Sequence, residues 1–342
     1  MSKSSLERRW DADDRSYLAL RIKRRLIPTI MGGVIADAIG VPVEFMGRGG
    51  FNVTGMTGYG TYNQPPGTWS DDTTMTLCLM ENLIEGQDLE ELMKKFAAWR
   101  DHGYMTPHGH MFDIGRTTEE SIERFLTGFS SDRWGGGKVS DNGNGALMRI
   151  SPLVFLLWNE YDFKKRLDLV EEIAHVTHRH PRSTVGCVLY IEFLFALFNN
   201  NEPLKAYEQA VRVCLRDLKG TRYEDEFPAY ERVLNLSIPN LEKDEIVSDG
   251  YVVHSLEAAL WSFLKHDNYR DIVLEAVNLG GDTDTIGLIA GTMAGMYYYE
   301  DGLPEEWLNE LVKKDEVMDI CKRYFDFCTE KAIAKVEAEG EF

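Results

Sequence analysis

The sequence has little of what several protein classes need. Positive charge is scarce: 37 Lys and Arg against 56 Asp and Glu leave a formal net charge of −19 over 342 residues. A broad phosphate-neutralising surface of the nucleic-acid-binding kind is therefore not expected, and a phosphate-bearing ligand would need metals or backbone amides. The five cysteines, Cys78, Cys187, Cys214, Cys321 and Cys328, are scattered and show neither CxxC pairs nor zinc spacing. They read as reduced thiols packed like small apolar side chains, which points to a cytoplasmic protein. Long hydrophobic runs are also missing. The most apolar, "VGCVLYIEFLFALF" at 185–198, is short and carries Glu192, so it predicts a buried core helix and no membrane span. The first 25 residues lack the apolar segment of a signal peptide, so classical export is not expected.

Strand-like alternation is scarce as well, and helical periodicity dominates. Met75, Leu79, Met80, Leu83 and Ile84 share one helical face, as do Leu256, Ala259, Leu260, Phe263 and Leu264. The fold class expected is all-α, in one large domain over 27–335. Glycine-rich connectors fall at 47–60, 134–145 and 278–282, and a polar stretch at 219–250 reads as a loop-rich excursion. Residues 1–26 mix charges of both signs with Trp10, Tyr17, Leu18 and Leu20 and read as an N-terminal extension; 336–342 reads as a C-terminal tail.

Two acidic turns carry the chemistry. "GTWSDDTTM" sets Ser70, Asp71 and Asp72 just before a helix, and "NLGGDTDTIGLIAG" sets Asp282, Asp284 and Thr285 before another. Either turn alone is equally well explained as helix capping, since Ser and Asp accept hydrogen bonds from free helix amides. Together they form an oxygen-only donor set for hard divalent cations, and without a cation such crowded carboxylates would repel and partly protonate. Gly287, Ala290, Gly291, Ala294 and Gly295 line one side of the second helix and predict a close helix neighbour. Glu44 follows a Gly/Ala-rich helical stretch; Asp113, Gly115 and Arg116 precede another helix; Gly143, Asn144 and Gly145 form a loop whose amides suit a diphosphate. His178 and His180, two positions apart, do not have helical zinc-ligand spacing.

In this order, "ADAIGVPVEF", "GTWSDDTTM", "FDIGRTT", "GNGALMR", "THRHPRS", "YVVHSLEAALW" and "NLGGDTDTIGLIAG" resemble the ADP-ribosylglycohydrolase family over about residues 27–300. The resemblance implies a compact helical domain around a cleft holding two Mg²⁺ or Mn²⁺ ions, and release of ADP-ribose from a modified protein or small molecule. It implies Ser70, Asp71, Asp72, Asp282, Asp284 and Thr285 as metal ligands. Glu44 is implied as the cleft glutamate, and Asp113 and Gly115 as the loop beside the scissile bond. Gly143, Asn144 and Gly145 would flank the diphosphate, and His178 would be a cleft histidine. Glu44 is the candidate general base and Asp113 the group that stabilises or protonates around the ring, although sequence alone leaves the two roles exchangeable. The acceptor favoured is protein arginine. One departure stands out: Tyr298, Tyr299 and Glu300 stand where a helix-ending glycine is expected, which puts that helix end in question. Two alternatives remain. Metal-dependent phosphoester hydrolysis fits a two-metal site alone. An immunity-type protein would instead block an ADP-ribosyltransferase toxin, using Arg9, Arg15, Arg21, Arg24 and Arg25 of the extension as partner contacts.

Overall fold

The computed structural model describes residues 12–339. Among them there is no β-strand beyond isolated bridges, and the helices are α1 Ala12–Gly40, α2 Asp71–Glu85, α3 Leu89–His102, α4 Arg116–Leu126, α5 Val154–Leu157, α6 Phe163–His175, α7 Pro181–Phe198, α8 Pro203–Asp217, α9 Glu231–Leu234, α10 Val252–Lys265, α11 Tyr269–Val277, α12 Thr283–Tyr298, α13 Glu305–Glu310 and α14 Lys314–Glu339. The 219–250 stretch is a series of short helical turns around α9.

The central pairing is α1 against α12. It is as close as the small residues of α12 predict: a Cβ on Gly295 would lie 2.0 Å from the Pro28 carbonyl oxygen, so the two backbones are nearly in contact. At the functional end, a Cβ on Gly40 would lie 2.4 Å from Asp284 Cα. The end of α1 is thereby pressed onto the start of α12, and Thr283 Oγ1 ties them by donating to the Gly40 carbonyl at 2.8 Å. Outside this pair, α7, α10 and α11 pack on α12, and α14 and α2 pack on α1.

Two sequence expectations change here. The boundary after residue 26 falls inside one continuous helix, in which Leu18, Ile22 and Leu26 are buried in the core. Likewise the last helix runs through 336 to Glu339. Both errors share a cause: charged residues on the outer face of a helix lower the average apolarity while the inner face still packs. The arginines expected to meet a partner are engaged within the fold. Arg21 donates to Asn199 at 2.8 Å and lies over the Trp158 and Phe198 rings, and Arg24 and Arg25 lie over Tyr299. Arg9 and Trp10 lie outside the described residues, as does the Arg15 side chain.

Tyr299 resolves the doubtful helix end. It takes the positive φ (62°) expected of glycine, and its N–H closes the last turn of α12 on Gly295 at 3.2 Å. Its ring, held by the two guanidiniums, offsets part of that backbone cost.

Apolar length needs a correction too. Two helical segments, Ser16–Val43 and Pro181–Phe198, are long and apolar enough to cross a membrane by length and composition, and nearly all of each is buried inside the fold. Each carries a charge satisfied internally. Glu192 in α7 forms a two-pronged pair with Arg166 at 2.6 and 2.8 Å. Asp37 in α1 belongs to the site described next. All five cysteines are free and buried, as expected.

Candidate active site

Two helix starts meet at the end of α1. Ser70 caps α2 by accepting from the Asp72 N–H, so the capping explanation holds at this turn. It does not account for the carboxylates. Asp282 precedes α12 without a side-chain capping bond, and Asp71, Asp72, Asp282 and Asp284 are all buried. The hydroxyls of Ser70 and Thr285 both donate to Asp72 Oδ2, at 2.9 and 3.2 Å, which joins residues from the two turns at one oxygen. Asp72 Oδ1 and Glu44 Oε2 are buried without a hydrogen-bond partner.

Glu44, Asp113 and Asp284 bring carboxylate oxygens within 4.8 Å of one another. Sequence reading had divided these three between catalysis and metal binding; the structure makes them one cluster. They adjoin a cleft of about 310 Å³ whose wall includes Glu44, Asp71, Asp72, Asp113, Asp282 and Thr285. Burial, reinforced by Asp113 and Asp282, pushes the Glu44 carboxyl up to about 8. Burial also raises Asp71 and Asp284 well above the ordinary carboxylate range, with Asp113 and Glu44 respectively adding the largest charge repulsion. Asp72 is raised by burial and by Asp37, and Asp113 and Asp282 are raised chiefly by burial. Carboxylates this crowded, two with an unpartnered buried oxygen, fit hard divalent cations and would be costly without them.

The remaining predicted residues surround the cleft. Gly115 precedes α4 with no side-chain acceptor on the helix amides, and Gly115, Arg116, Thr117 and Thr118 line the cleft at that helix start. Gly143, Asn144 and Gly145 face it as well, but not as a free amide cradle. The Asn144 N–H is already donated to the Gly250 carbonyl at 3.0 Å. Its side chain instead donates to Asp282 Oδ2 at 2.6 Å and to Ser255 Oγ at 2.9 Å, so Asn144 positions a carboxylate. His178 lies behind Gly145, where a Cβ would meet its Cε1 at 2.8 Å. Burial, with Arg149 nearby, lowers His178 to about 3, so it is neutral and packs as a wall.

Sequence reading missed Asp37 and Tyr62. Asp37 accepts from the Ser70 N–H at 3.0 and 3.1 Å, the Thr73 N–H at 3.2 Å and Thr73 Oγ1 at 2.6 Å. It therefore anchors the start of α2 on α1, while burial holds its pKa up at about 6. Its signal was a single carboxylate in the apolar stretch 26–43. The Tyr62 hydroxyl is buried and makes no well-formed hydrogen bond; burial and then the Glu44 and Asp113 carboxylates raise its pKa. Nothing in its local sequence marked it.

The chain as a whole has known counterparts. The family model described as ADP-ribosylglycohydrolase matches residues 19–333. The chain belongs to the ADP-ribosylglycohydrolase family. It is accordingly a hydrolase. The match starts at residue 19, within α1. The ADP-ribosylarginine hydrolase Tri1 of Serratia proteamaculans (strain 568) is 31% identical over 308 residues, covering 88% of this chain and 79% of that protein. The ADP-ribosyl-[dinitrogen reductase] glycohydrolase of Rhodospirillum rubrum is 28% identical, covering 85% of this chain and 92% of that protein. A solved structure of an ADP-ribosylglycohydrolase-related protein complex superposes with a TM-score of 0.74 at 28% identity, over 90% of this chain and 99% of that chain.

Proposed function

We propose that the protein is a divalent-cation-dependent hydrolase that removes ADP-ribose from modified arginine side chains of proteins. The observation that carries this reading is the Glu44–Asp113–Asp284 cluster at the cleft, with Glu44 Oε2 buried and unpartnered. The relatives named for ADP-ribosylarginine and ADP-ribosyl-[dinitrogen reductase] support the acceptor class. Ser70, Asp71, Asp72, Asp282, Asp284 and Thr285 would hold two cations, Mg²⁺ or Mn²⁺. When bound, these neutralise the clustered carboxylates and give the ribose hydroxyls an anchor.

The chain's own groups supply the rest. Glu44 takes a proton from the attacking water, whose oxygen forms a bond to the anomeric carbon as the bond to the guanidine nitrogen breaks. Asp113, in the same cluster, starts protonated and gives its proton to the leaving nitrogen, and the carboxylate this leaves offsets the positive charge that develops on the ring. Asn144 and Thr285 hold the carboxylates in place by hydrogen bonds. The diphosphate lies along the start of α4, where helix amides without a side-chain cap favour negative charge.

Incubation with a peptide carrying ADP-ribosyl-arginine, followed by measurement of free ADP-ribose, tests the reading. Release that requires Mg²⁺ or Mn²⁺ is expected; no release with either ion would overturn it.

A further inference from the structure

Phe45, next to the catalytic Glu44, bears two costs at once. Its backbone has a φ of 62°, in the left-handed region that favours glycine, and its side chain is 67% exposed. A phenylalanine there is both strained and wet. The backbone geometry does have a structural use. The Phe45 N–H donates to the Gly281 carbonyl at 2.7 Å and the Gly281 N–H returns to the Met46 carbonyl at 2.9 Å, so the loop bearing Glu44 is pinned to the loop bearing Asp282. Glycine would make the same two bonds without the strain. The exposed ring is therefore not explained by the folded chain.

Its surroundings indicate what it meets. Phe45 lines the cleft together with Glu44, Asp71, Asp72, Asp113 and Asp282. Its ring stands edge-on to Tyr62 at 6.5 Å, and Tyr62 lies 5.0 Å from Phe112, so the exposed Phe45 ring at the acidic cleft is backed by further aromatic rings. Carboxylates beside an exposed aromatic face form a receptor for a planar cation.

We infer that the Phe45 ring receives the guanidinium of the arginine acceptor and makes the site selective for arginine over neutral, oxygen-linked acceptors. This rests on the reading of the protein as a hydrolase of ADP-ribosyl-arginine. The ring lies against the leaving group next to the bond that Glu44 and Asp113 cleave, and it adds cation–π attraction where the cleft already favours positive charge. The alternative role for an exposed ring, stacking on adenine, makes an opposite prediction for free ADP-ribose.

The test compares wild type with Phe45→Leu and Phe45→Trp, each first checked by thermal melting. Substrates are one peptide carrying ADP-ribosyl-arginine and one carrying serine-linked ADP-ribose; free ADP-ribose binding is measured by titration calorimetry. Phe45→Leu keeps an apolar side chain but loses the ring face. It is expected to raise KM for the arginine substrate about tenfold, the size of a partly desolvated cation–π contact, with kcat and ADP-ribose affinity nearly unchanged. Phe45→Trp is expected to restore KM to the wild-type value or below. Equal KM for wild type and Phe45→Leu would overturn the inference. So would a tenfold loss of free ADP-ribose affinity in Phe45→Leu, which would place the ring on adenine. If wild-type protein cleaves only the serine linkage, the arginine reading itself falls, and this inference falls with it.

Discussion

The side-chain amide of Asn144 donates to Asp282 Oδ2 at 2.6 Å, joining a loop that precedes the middle of the chain to a turn 138 positions later. This bond opposes part of the rise in the Asp282 pKa that burial causes. Asn144→Ala should leave that oxygen buried without its donor, and hydrogen bonds to charged groups contribute about 1.5–3 kcal/mol. Activity is expected to fall at least tenfold, with weaker cation binding. Asn144→Asp should be worse, because it puts a second carboxylate where the donor stood. Isothermal titration with Mn²⁺ alone checks the binding; an unchanged affinity in both variants would show that Asn144 does not position Asp282.

Chelation should abolish hydrolysis, and readdition of Mg²⁺ or Mn²⁺ should restore it. Asp71→Ala and Asp284→Ala should each remove activity while the protein stays folded, because each deletes one carboxylate from a mutually repelling group. Circular dichroism and turnover measured together decide this. Unfolding of both variants would favour a purely structural role for the two turns.

Acid should destabilise the fold through two neutral histidines, His178, which is buried, and His175, which is partly buried. His178 is lowered to about 3 and His175 to about 4, both chiefly by burial. Each contributes stability that is fully present above the unfolded value near 6.5 and is lost as pH falls from there toward the folded value, because the unfolded chain takes up the proton first. For His178 the loss between pH 8 and pH 5 is about 2 kcal/mol. Urea unfolding of wild type and His178→Gln across that range measures it. The variant should show a shallower slope, and parallel slopes would mean that His178 is not buried in the neutral form.

Helix α1 gives an internal comparison on one short stretch. Ile22 is fully buried at 0% exposure, whereas Leu20, two positions away, is 54% exposed. Ile22→Ala should cost about 2–4 kcal/mol, and Leu20→Ala less than about 0.5 kcal/mol. Chemical denaturation separates the two. Equal, small effects would return this segment to the detachable extension that its composition suggests.

Much of the protein was legible locally. Apolar spacing near 3.6 residues marked α2 and α10 because a helix displays its own period whatever it packs against. Ser70, Asp71 and Asp72, and Asp282 and Asp284, stood out because two such turns in one chain supply more carboxylates than helix capping needs. The small residues of α12 announced a close neighbour but not which one.

Tertiary structure decided the rest. That Thr285 reaches Asp72 across 213 positions depends on α1 lying against α12 closely enough for Gly40 to touch Asp284. The same packing turns Asp37 from an isolated charge in an apolar helix into the acceptor that fixes the start of α2. Asn144 looked like a backbone cradle for phosphate, but its amide is taken by Gly250 and its side chain serves Asp282. The sequence by itself determined the helices and the kinds of donor groups, because propensity, periodicity and capping act over a few residues. Which oxygens share one cleft, and which charges are buried without partners, depended on contacts between distant segments, and these exist only once the core has closed.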